Sequence, residues 1–166
     1  MAERGVPRAG DVVPSAPGAR TLTEKAVSSR GPSPEEWRAL VNRAGAAMEQ
    51  AYAPYSGFRV GAALLASNGM VVEGCNVENA SYPAGSCAER VAVGAAVARG
   101  LREFEALAIV TEADVPTPPC GICRQVLLEF APALPVLSVT RGGAEARWDM
   151  SELLPHAFTP TSLIRP

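Results

Sequence analysis

The sequence predicts an α/β protein, built as a three-layer α/β/α sandwich around a mixed sheet of about five strands. Two kinds of segment support this prediction: some repeat apolar residues at helical spacing, and others are short, continuous apolar runs typical of buried strands. The two kinds alternate along the chain, which is typical of a sheet covered by helices. The length of 166 residues, with 48% hydrophobic content, indicates one domain with an ordinary core.

The N-terminal stretch, residues 1–32, differs from the rest of the chain. It is rich in Gly, Pro, Ser, Ala and Arg and shows no apolar periodicity, so we expect a disordered extension. A targeting peptide is an alternative because Arg and Ser are present and acids are few, although Pro and Gly disfavour an amphipathic presequence. Residues 33–166 form the predicted folded domain.

The folded domain begins with a helix. Ser33 can cap its N-terminus, Pro34 suits the first helical position, and Glu36 completes a capping box. Apolar residues then recur at helical spacing, and we expect the helix to end near Tyr52 because a proline follows two residues later.

Strands and helices alternate through the remainder of the chain. Ser-Asn-Gly marks a hairpin turn, Gly100 ends an Ala-rich and Val-rich helix, and a run of prolines precedes a third helix. The predicted elements are strand 58–65, turn 67–69, strand 70–74, polar loop 76–86, helix 87–99, strand 105–111, helix from 120 or 121 to 130, strand 135–139, strand 147–149 and a helical turn at 151–154.

Three of the four cysteines form a pattern typical of a metal site. Cys120 and Cys123 make a C-x-x-C, a spacing that allows two sulfurs to bind one ion, and Cys87 can supply a third ligand. A structural zinc site is closed by four protein ligands, whereas a catalytic one keeps a position for water. A fourth protein ligand would have to be Cys75 or the single histidine, His156. The pattern therefore predicts one catalytic Zn²⁺ per chain.

Two other interpretations of these cysteines remain open. The C-x-x-C could be a thioredoxin-type redox pair, which would leave Cys87 and Glu89 without a role. The cysteines could also be inert buried thiols, which their spacing disfavours. Both cysteine segments open predicted helices, and a helix N-terminus lowers the pKa of a thiol, so that the thiolate form is easier to reach.

Glu89 and Arg90 extend the metal pattern. The order Cys, one residue, Glu, then Pro-Cys-x-x-Cys is a known signature of zinc deaminases, in which the glutamate carries protons and does not bind the metal. Three thiolates would weaken the Lewis acidity of the ion, so we expect Arg90 to withdraw charge from the sulfurs as a hydrogen-bond donor outside the ligand set. The alternatives are an ordinary helix-start acid for Glu89 and an exposed helix residue for Arg90.

With these motifs the chain resembles the small, single-domain cytidine deaminases that have three zinc cysteines. The likeness spans about residues 35–163, and residues 33–166 would form the catalytic domain. Beyond the cysteines it is carried by the segments Tyr52–Leu64, Gly74–Tyr82 and Leu153–Phe158.

The resemblance implies roles for the matching residues. The three cysteines would bind zinc and Glu89 would be the proton shuttle. Asn76 and Glu78 would hydrogen-bond the ribose 3′-hydroxyl, Phe58 would line the base pocket, and the backbone of Ala88 would contact the base edge. By default, Phe58 would be a core residue, and the two polar residues would be solvated or turn-forming.

The family likeness also implies a homotetramer whose active sites are shared between subunits. Tyr82 and Phe158 would reach a neighbouring subunit's pocket, with Phe158 against the base; a tail anchor is the alternative for Phe158. Pro83–Ser86 matches no pattern that fixes a role, so the preference among cytosine nucleosides stays open.

The expected activity is hydrolysis of the 4-amino group of free cytidine or deoxycytidine, giving uridine or deoxyuridine and ammonia in pyrimidine salvage. This is a hydrolase reaction on a cyclic amidine C–N bond. A carboxylate at Glu78 would repel a 3′-phosphate, which favours nucleosides over nucleic acid chains. The alternatives are a deaminase of the same fold acting on another cytosine nucleoside, such as blasticidin S, and a non-catalytic zinc-binding module.

The charge and hydropathy of the chain argue against a nucleic acid partner and against a membrane-spanning segment. The net charge is −2 and no basic stripe is present, which argues against a nucleic acid partner. No apolar run approaches the roughly 20 residues of a membrane span, and no secretory signal is evident. Thiols kept for zinc suit a reducing compartment, so we expect a cytoplasmic protein.

Overall fold

The computed structural model describes residues 31–163, so the predicted extension at 1–32 lies almost wholly outside the described residues. None of the helices in this described range has the length and apolar character needed to cross a membrane. The elements are α1 Pro34–Met48, β1 Val60–Ala66, β2 Val71–Cys75, a 3-10 turn Tyr82–Ala84, α2 Ala88–Ala98, β3 Phe104–Thr111, α3 Gly121–Phe130, β4 Pro135–Thr140, β5 Glu145–Asp149, α4 Met150–Leu153 and a 3-10 turn Pro160–Leu163.

The five strands form one mixed sheet in the order β2-β1-β3-β4-β5. β3 and β4 are parallel and are connected through α3, while the other neighbouring strands are antiparallel. α1 packs on one face of the sheet, and α2 and α3 pack on the other. The predicted three-layer α/β/α architecture is therefore confirmed.

The central strands are buried on both faces, which explains their continuous apolar sequences. Successive side chains of a strand point to opposite faces. Ala62 and Ile109 belong to the cluster beneath α2 and α3, whereas Ala63 and Ala108 belong to the cluster beneath α1. The same alternation decides which strand residues can reach a site on the α2 side.

Two strand glycines allow helices to lie directly against the sheet. A Cβ atom at Gly74 would be 2.4 Å from the carbonyl oxygen of Ala88 and 2.5 Å from the nitrogen of Ala92, both in α2. On the opposite face, a Cβ atom at Gly61 would be 1.9 Å from the carbonyl oxygen of Ala44 in α1. Gly74 thereby fixes how close the first turns of α2 lie to the sheet.

The predicted start of α1 is confirmed, but the predicted end near Tyr52 is wrong. Ser33 and Glu36 form the reciprocal capping box, while the helix already ends at Met48. The backbone of Tyr52 instead bonds to the segment after β2, because its nitrogen donates to Asn76 and its oxygen accepts from Glu78. These tertiary bonds compete with further helical turns.

The other predicted elements agree with the structure to within two residues at each end. The loop predicted at 76–86 contains the short 3-10 turn Tyr82–Ala84, which the irregular sequence did not indicate.

Candidate metal centre and active site

The metal-ligand candidates lie where two helices begin. Cys87 is the N-cap residue of α2 and Cys120 is the N-cap residue of α3, and both have extended backbone angles. Cys123 lies in the first turn of α3 and is fully buried. Both helix N-termini therefore direct their positive dipole ends towards the sulfurs, which favours thiolates.

The three sulfurs are close enough to bind one ion. The Sγ atoms of Cys87 and Cys120 are 3.7 Å apart, those of Cys120 and Cys123 are 3.5 Å apart, and all three lie within 4.8 Å of one another. Tetrahedral Zn–S bonds of about 2.3 Å place sulfurs roughly 3.8 Å apart. The cluster fits one Zn²⁺ per chain.

Within residues 31–163, no fourth His, Cys, Asp or Glu joins this cluster. The Cys75 thiol donates instead to the carbonyl oxygen of Gln50 at 3.5 Å, and His156 is exposed. The donor set is thus three protein ligands, as expected for a site that keeps a position for water.

The sulfurs share protons unequally. Hydrogen bonding from Cys123, and then from Cys120 and Arg90, lowers the pKa of the Cys87 thiol to about 5 against the opposing effect of burial. The same bond to Cys87 raises the pKa of Cys123. Cys87 is therefore the first thiolate of the cluster, and a metal ion would have to displace the remaining protons.

The Arg90 side chain lies beside the cluster, and its guanidinium is held mainly by a hydrogen bond to the backbone before α2. Its Nη2 atom donates to the carbonyl oxygen of Gly85 at 2.8 Å and lies 4.0 Å from the Cys87 sulfur. Its Nε atom is buried without a hydrogen-bond partner among the described residues. The guanidinium is thus in position to influence Cys87, although the contact with the sulfur is at the long limit.

Glu89 is a buried carboxylate next to the cluster. It lies in the first turn of α2, two residues after Cys87, and is only 5% exposed. Burial is the main cause that raises its pKa above the usual range of a glutamate. Because its pKa is raised towards the working pH, this carboxyl group can take up and release a proton more readily than an exposed helix-start acid can.

A cavity of about 560 Å³ opens in front of the cluster. Most of the sequence-predicted site residues line this cavity. The exceptions are Ala88, which is fully buried and was expected to act through its backbone, and Cys123 and Phe158. The predicted residues that line it are Phe58, Asn76, Glu78, Tyr82, Cys87, Glu89, Arg90 and Cys120.

Asn76 connects the β2 end of the cavity to the start of β1. Its Oδ1 atom accepts a hydrogen bond from the Val60 nitrogen at 2.8 Å, and its Nδ2 atom donates to the Phe58 carbonyl oxygen at 2.9 Å. These bonds fix the amide in place, and one N–H and one lone pair remain for a ligand.

The Glu78 carboxylate is held by residues 55 and 56, which the sequence did not identify as part of the site. The carboxylate accepts from the backbone nitrogens of Tyr55 and Ser56 at 2.8 and 3.2 Å and from the Ser56 hydroxyl at 2.5 Å. The Ser56 hydroxyl bond is the main cause that lowers the pKa of Glu78. Nothing in the sequence indicated this contact, because its partners are 22 residues apart.

Several aromatic side chains are exposed, and some of them line the cavity. Tyr55 and Tyr82 line it and meet edge-to-face, with ring centroids 6.2 Å apart. Tyr82 is 77% exposed and Phe58 is 37% exposed. Phe158 is 58% exposed, and its carbonyl oxygen accepts a hydrogen bond from Gln125. A single chain therefore leaves much aromatic surface open.

The sheet contributes a lining that the sequence did not identify. Val60, Ile109 and Thr111 reach the cavity from β1 and β3. Since all three belong to apolar strand segments, they resembled ordinary core residues in the sequence.

Comparison with known proteins adds independent findings. The family model for the "Cytidine and deoxycytidylate deaminase zinc-binding region" matches residues 34–138. The chain is 46% identical over 125 residues to a cytidine deaminase of Sporosarcina psychrophila, covering 75% of this chain and 92% of the relative. It is 48% identical over 121 residues to a cytidine deaminase of Halalkalibacterium halodurans, covering 72% and 92%. The crystal structure of a cytidine deaminase from Burkholderia pseudomallei matches with a TM-score of 0.71 and 49% identity, over 73% of this chain and 98% of that one.

Proposed function

Because the chain belongs to the cytidine and deoxycytidylate deaminase family, we propose that it is a zinc-dependent hydrolase that converts free cytidine or deoxycytidine to uridine or deoxyuridine. One water molecule replaces the 4-amino group, which leaves as ammonia. The observation that carries the proposal is a cluster of three thiols that no fourth His, Cys, Asp or Glu joins within residues 31–163. Two of these thiols, Cys87 and Cys120, line a cavity together with the buried Glu89.

Cys87, Cys120 and Cys123 would hold the ion. When bound, zinc would lower the pKa of a water molecule so that hydroxide is available near neutral pH. Glu89 would accept the proton of the attacking water, protonate the pyrimidine ring nitrogen and later pass a proton to the departing amino group. Its raised pKa suits this exchange because a shuttle works best when its pKa is near the working pH.

The nucleobase would lie between the start of α2 and the start of β1. The backbone N–H of Ala88 belongs to the first turn of α2, where helical amides lack intrahelical partners, and would donate to the base edge. Phe58 would form the apolar side of this pocket. Arg90 would withdraw charge from the Cys87 sulfur and so maintain the Lewis acidity of the ion.

Asn76 and Glu78 would bind the ribose 3′-hydroxyl with the hydrogen-bonding capacity that their protein contacts leave free. The Glu78 carboxylate, with its lowered pKa, is ionised at neutral pH and would repel a 3′-phosphate. The substrate would therefore be a free nucleoside, and oligonucleotides that contain cytidine should not be turned over.

We further propose a homotetramer in which neighbouring subunits complete each other's sites. The exposed rings of Tyr82, which lines the cavity, and of Phe158, which does not, support this proposal, because exposed large aromatic groups mark an interaction surface. Light scattering of the purified protein should give four chains per particle, and a monodisperse monomer that is fully active would disprove shared sites.

The biological setting follows from the same chemistry. Three reduced thiols suit a reducing cytoplasm, and the reaction would serve pyrimidine salvage. The catalytic domain would comprise residues 33–166, with 1–32 as a separate extension. Deleting 1–32 should leave kcat/KM and the assembly state unchanged, and a loss of either would contradict this boundary.

The main experiment compares Glu89→Gln with the wild type. The variant should keep about one zinc per chain by elemental analysis and lose roughly 10²–10⁴-fold in turnover, because the amide cannot move protons. Glu35→Gln is the matched control, since Glu35 is an exposed acid in the first turn of α1 and should be silent. Retained turnover in Glu89→Gln would exclude the proposed shuttle.

An absorbance assay that follows loss of the cytosine amino group identifies the substrate. Cytidine, deoxycytidine, blasticidin S and a cytidine-containing oligonucleotide should be tested side by side. Turnover of blasticidin S without turnover of cytidine would replace the proposed substrate while keeping the reaction. Zinc binding without any turnover would favour a non-catalytic module.

A further inference from the structure

A buried hydroxyl in the cavity lining has no partner within the described chain. Thr111, the last residue of β3, is 1% exposed, and its Oγ1 atom makes no hydrogen bond to residues 31–163. A hydroxyl removed from water without a partner costs free energy, so buried polar groups are nearly always paired. The described residues alone give no compensation for this cost.

The other buried hydroxyls of the described sheet are paired. Thr140, which is next to Thr111 in the parallel β3–β4 register, accepts a hydrogen bond from the Ala144 nitrogen at 3.0 Å. Ser138 accepts one from the Thr117 nitrogen at 3.1 Å. Thr111 therefore differs from its neighbours in its bonding and not in its burial.

The strand geometry directs Thr111 towards the candidate active site. Its neighbour Val110 packs in the cluster beneath α1, whereas Ile109, two residues earlier, packs on the α2 side. Thr111 is paired with Val60 in the β1–β3 register, and both line the 560 Å³ cavity together with Glu89. Among these three sheet-derived lining residues only Thr111 offers a polar atom.

We infer that the Thr111 hydroxyl hydrogen-bonds the polar edge of the pyrimidine ring and so helps to position the base for deamination. The inference rests on the proposed function. A hydroxyl can both donate and accept, so it suits a ring whose 4-substituent changes from an amino donor to a carbonyl acceptor. Bound nucleoside would then satisfy the hydroxyl that residues 31–163 leave unpaired.

The test compares Thr111→Val, which removes the hydroxyl at nearly constant shape, with Thr111→Ser, which keeps it. We expect kcat/KM for cytidine to fall about three- to tenfold in Thr111→Val, the loss of one neutral hydrogen bond, and to stay within about twofold of wild type in Thr111→Ser. Zinc content should be unchanged in both.

Thermal unfolding supplies a second readout that a purely structural role would not produce. Without ligand, the Tm of Thr111→Val should equal or exceed that of wild type, because no protein hydrogen bond is lost. The rise in Tm caused by saturating uridine should be smaller in this variant. Thr140→Val is the matched control: it removes a paired hydroxyl, so its Tm should fall while kcat/KM stays unchanged.

Three results would overturn the inference. Thr111→Val could match wild type in kcat/KM, Thr111→Ser could lose as much as Thr111→Val, or the Tm of unliganded Thr111→Val could fall as in the Thr140 control. With an active wild type, any of these would leave the proposed function standing. An inactive wild type would instead overturn the proposed function, and this inference with it.

Discussion

Replacing Gly74 with alanine should move the start of α2 away from the sheet. The added Cβ would be 2.4 Å from the Ala88 carbonyl oxygen, whereas ordinary contact begins near 3.4 Å. Both clashing partners belong to helix backbone, so no side chain can rotate to relieve them. The helix must therefore shift by about 1 Å, a displacement that can cost about 10²-fold in rate when it misplaces reacting groups.

The displaced turn carries Cys87 and Glu89. We expect Gly74→Ala to lose about 10²-fold in kcat/KM for cytidine, with a smaller loss of stability of about 1–3 kcal/mol from overpacking. Gly94→Ala is the control within the same helix, because a Cβ there meets nothing within 4 Å. That control should stabilise the protein by about 0.5–1 kcal/mol and leave the activity unchanged.

The assay is steady-state cytidine turnover at a temperature where circular dichroism shows both variants folded. Zinc content measured on the same samples separates loss of the ion from misplacement of Glu89. If folded Gly74→Ala kept the kcat/KM and zinc content of wild type, then the close approach at Gly74 would not position the site. The reasoning from the clash distances would be refuted.

Two further predictions concern stability. Ser33→Ala removes the α1 cap and should lower the free energy of unfolding by about 0.5–2 kcal/mol, with kcat/KM unchanged. Denaturant titration measures this loss, and an unaltered midpoint would show that the capping box contributes nothing. Removal of zinc by a chelator should lower the Tm, and addition of zinc should restore it, because the cluster binds the ion in the folded state. A Tm that is unchanged by both treatments would contradict the metal site.

The metal cluster was predictable because its determinants are local. The C-x-x-C spacing and the helix start after Cys120 lie within a few residues, and so do the Cys-x-Glu order and the helix start after Cys87, although the two segments are 33 residues apart. The capping box of α1 is equally local. Each of these patterns can be recognised without knowing which distant segments meet in the fold.

The features that the sequence did not reveal depend on distant contacts. α1 ends early because the Tyr52 backbone bonds to a segment beyond β2. Ser56 is part of the site because it holds Glu78, and Thr111 matters because a cavity opens in front of an otherwise apolar strand. Apolar patterning reports burial but cannot tell whether a buried hydroxyl has a partner.

The placement of the cysteines couples metal binding to the packing of two separate helices. Cys87 and Cys120 are 33 residues apart, and β3 lies between them in the centre of the sheet. During synthesis the nascent chain offers one thiol first and the C-x-x-C pair later, so the triad is incomplete until α2 and α3 occupy the same face. Full coordination therefore requires α2 and α3 to lie side by side, so that binding of the ion is coupled to the packing of both helices on the sheet.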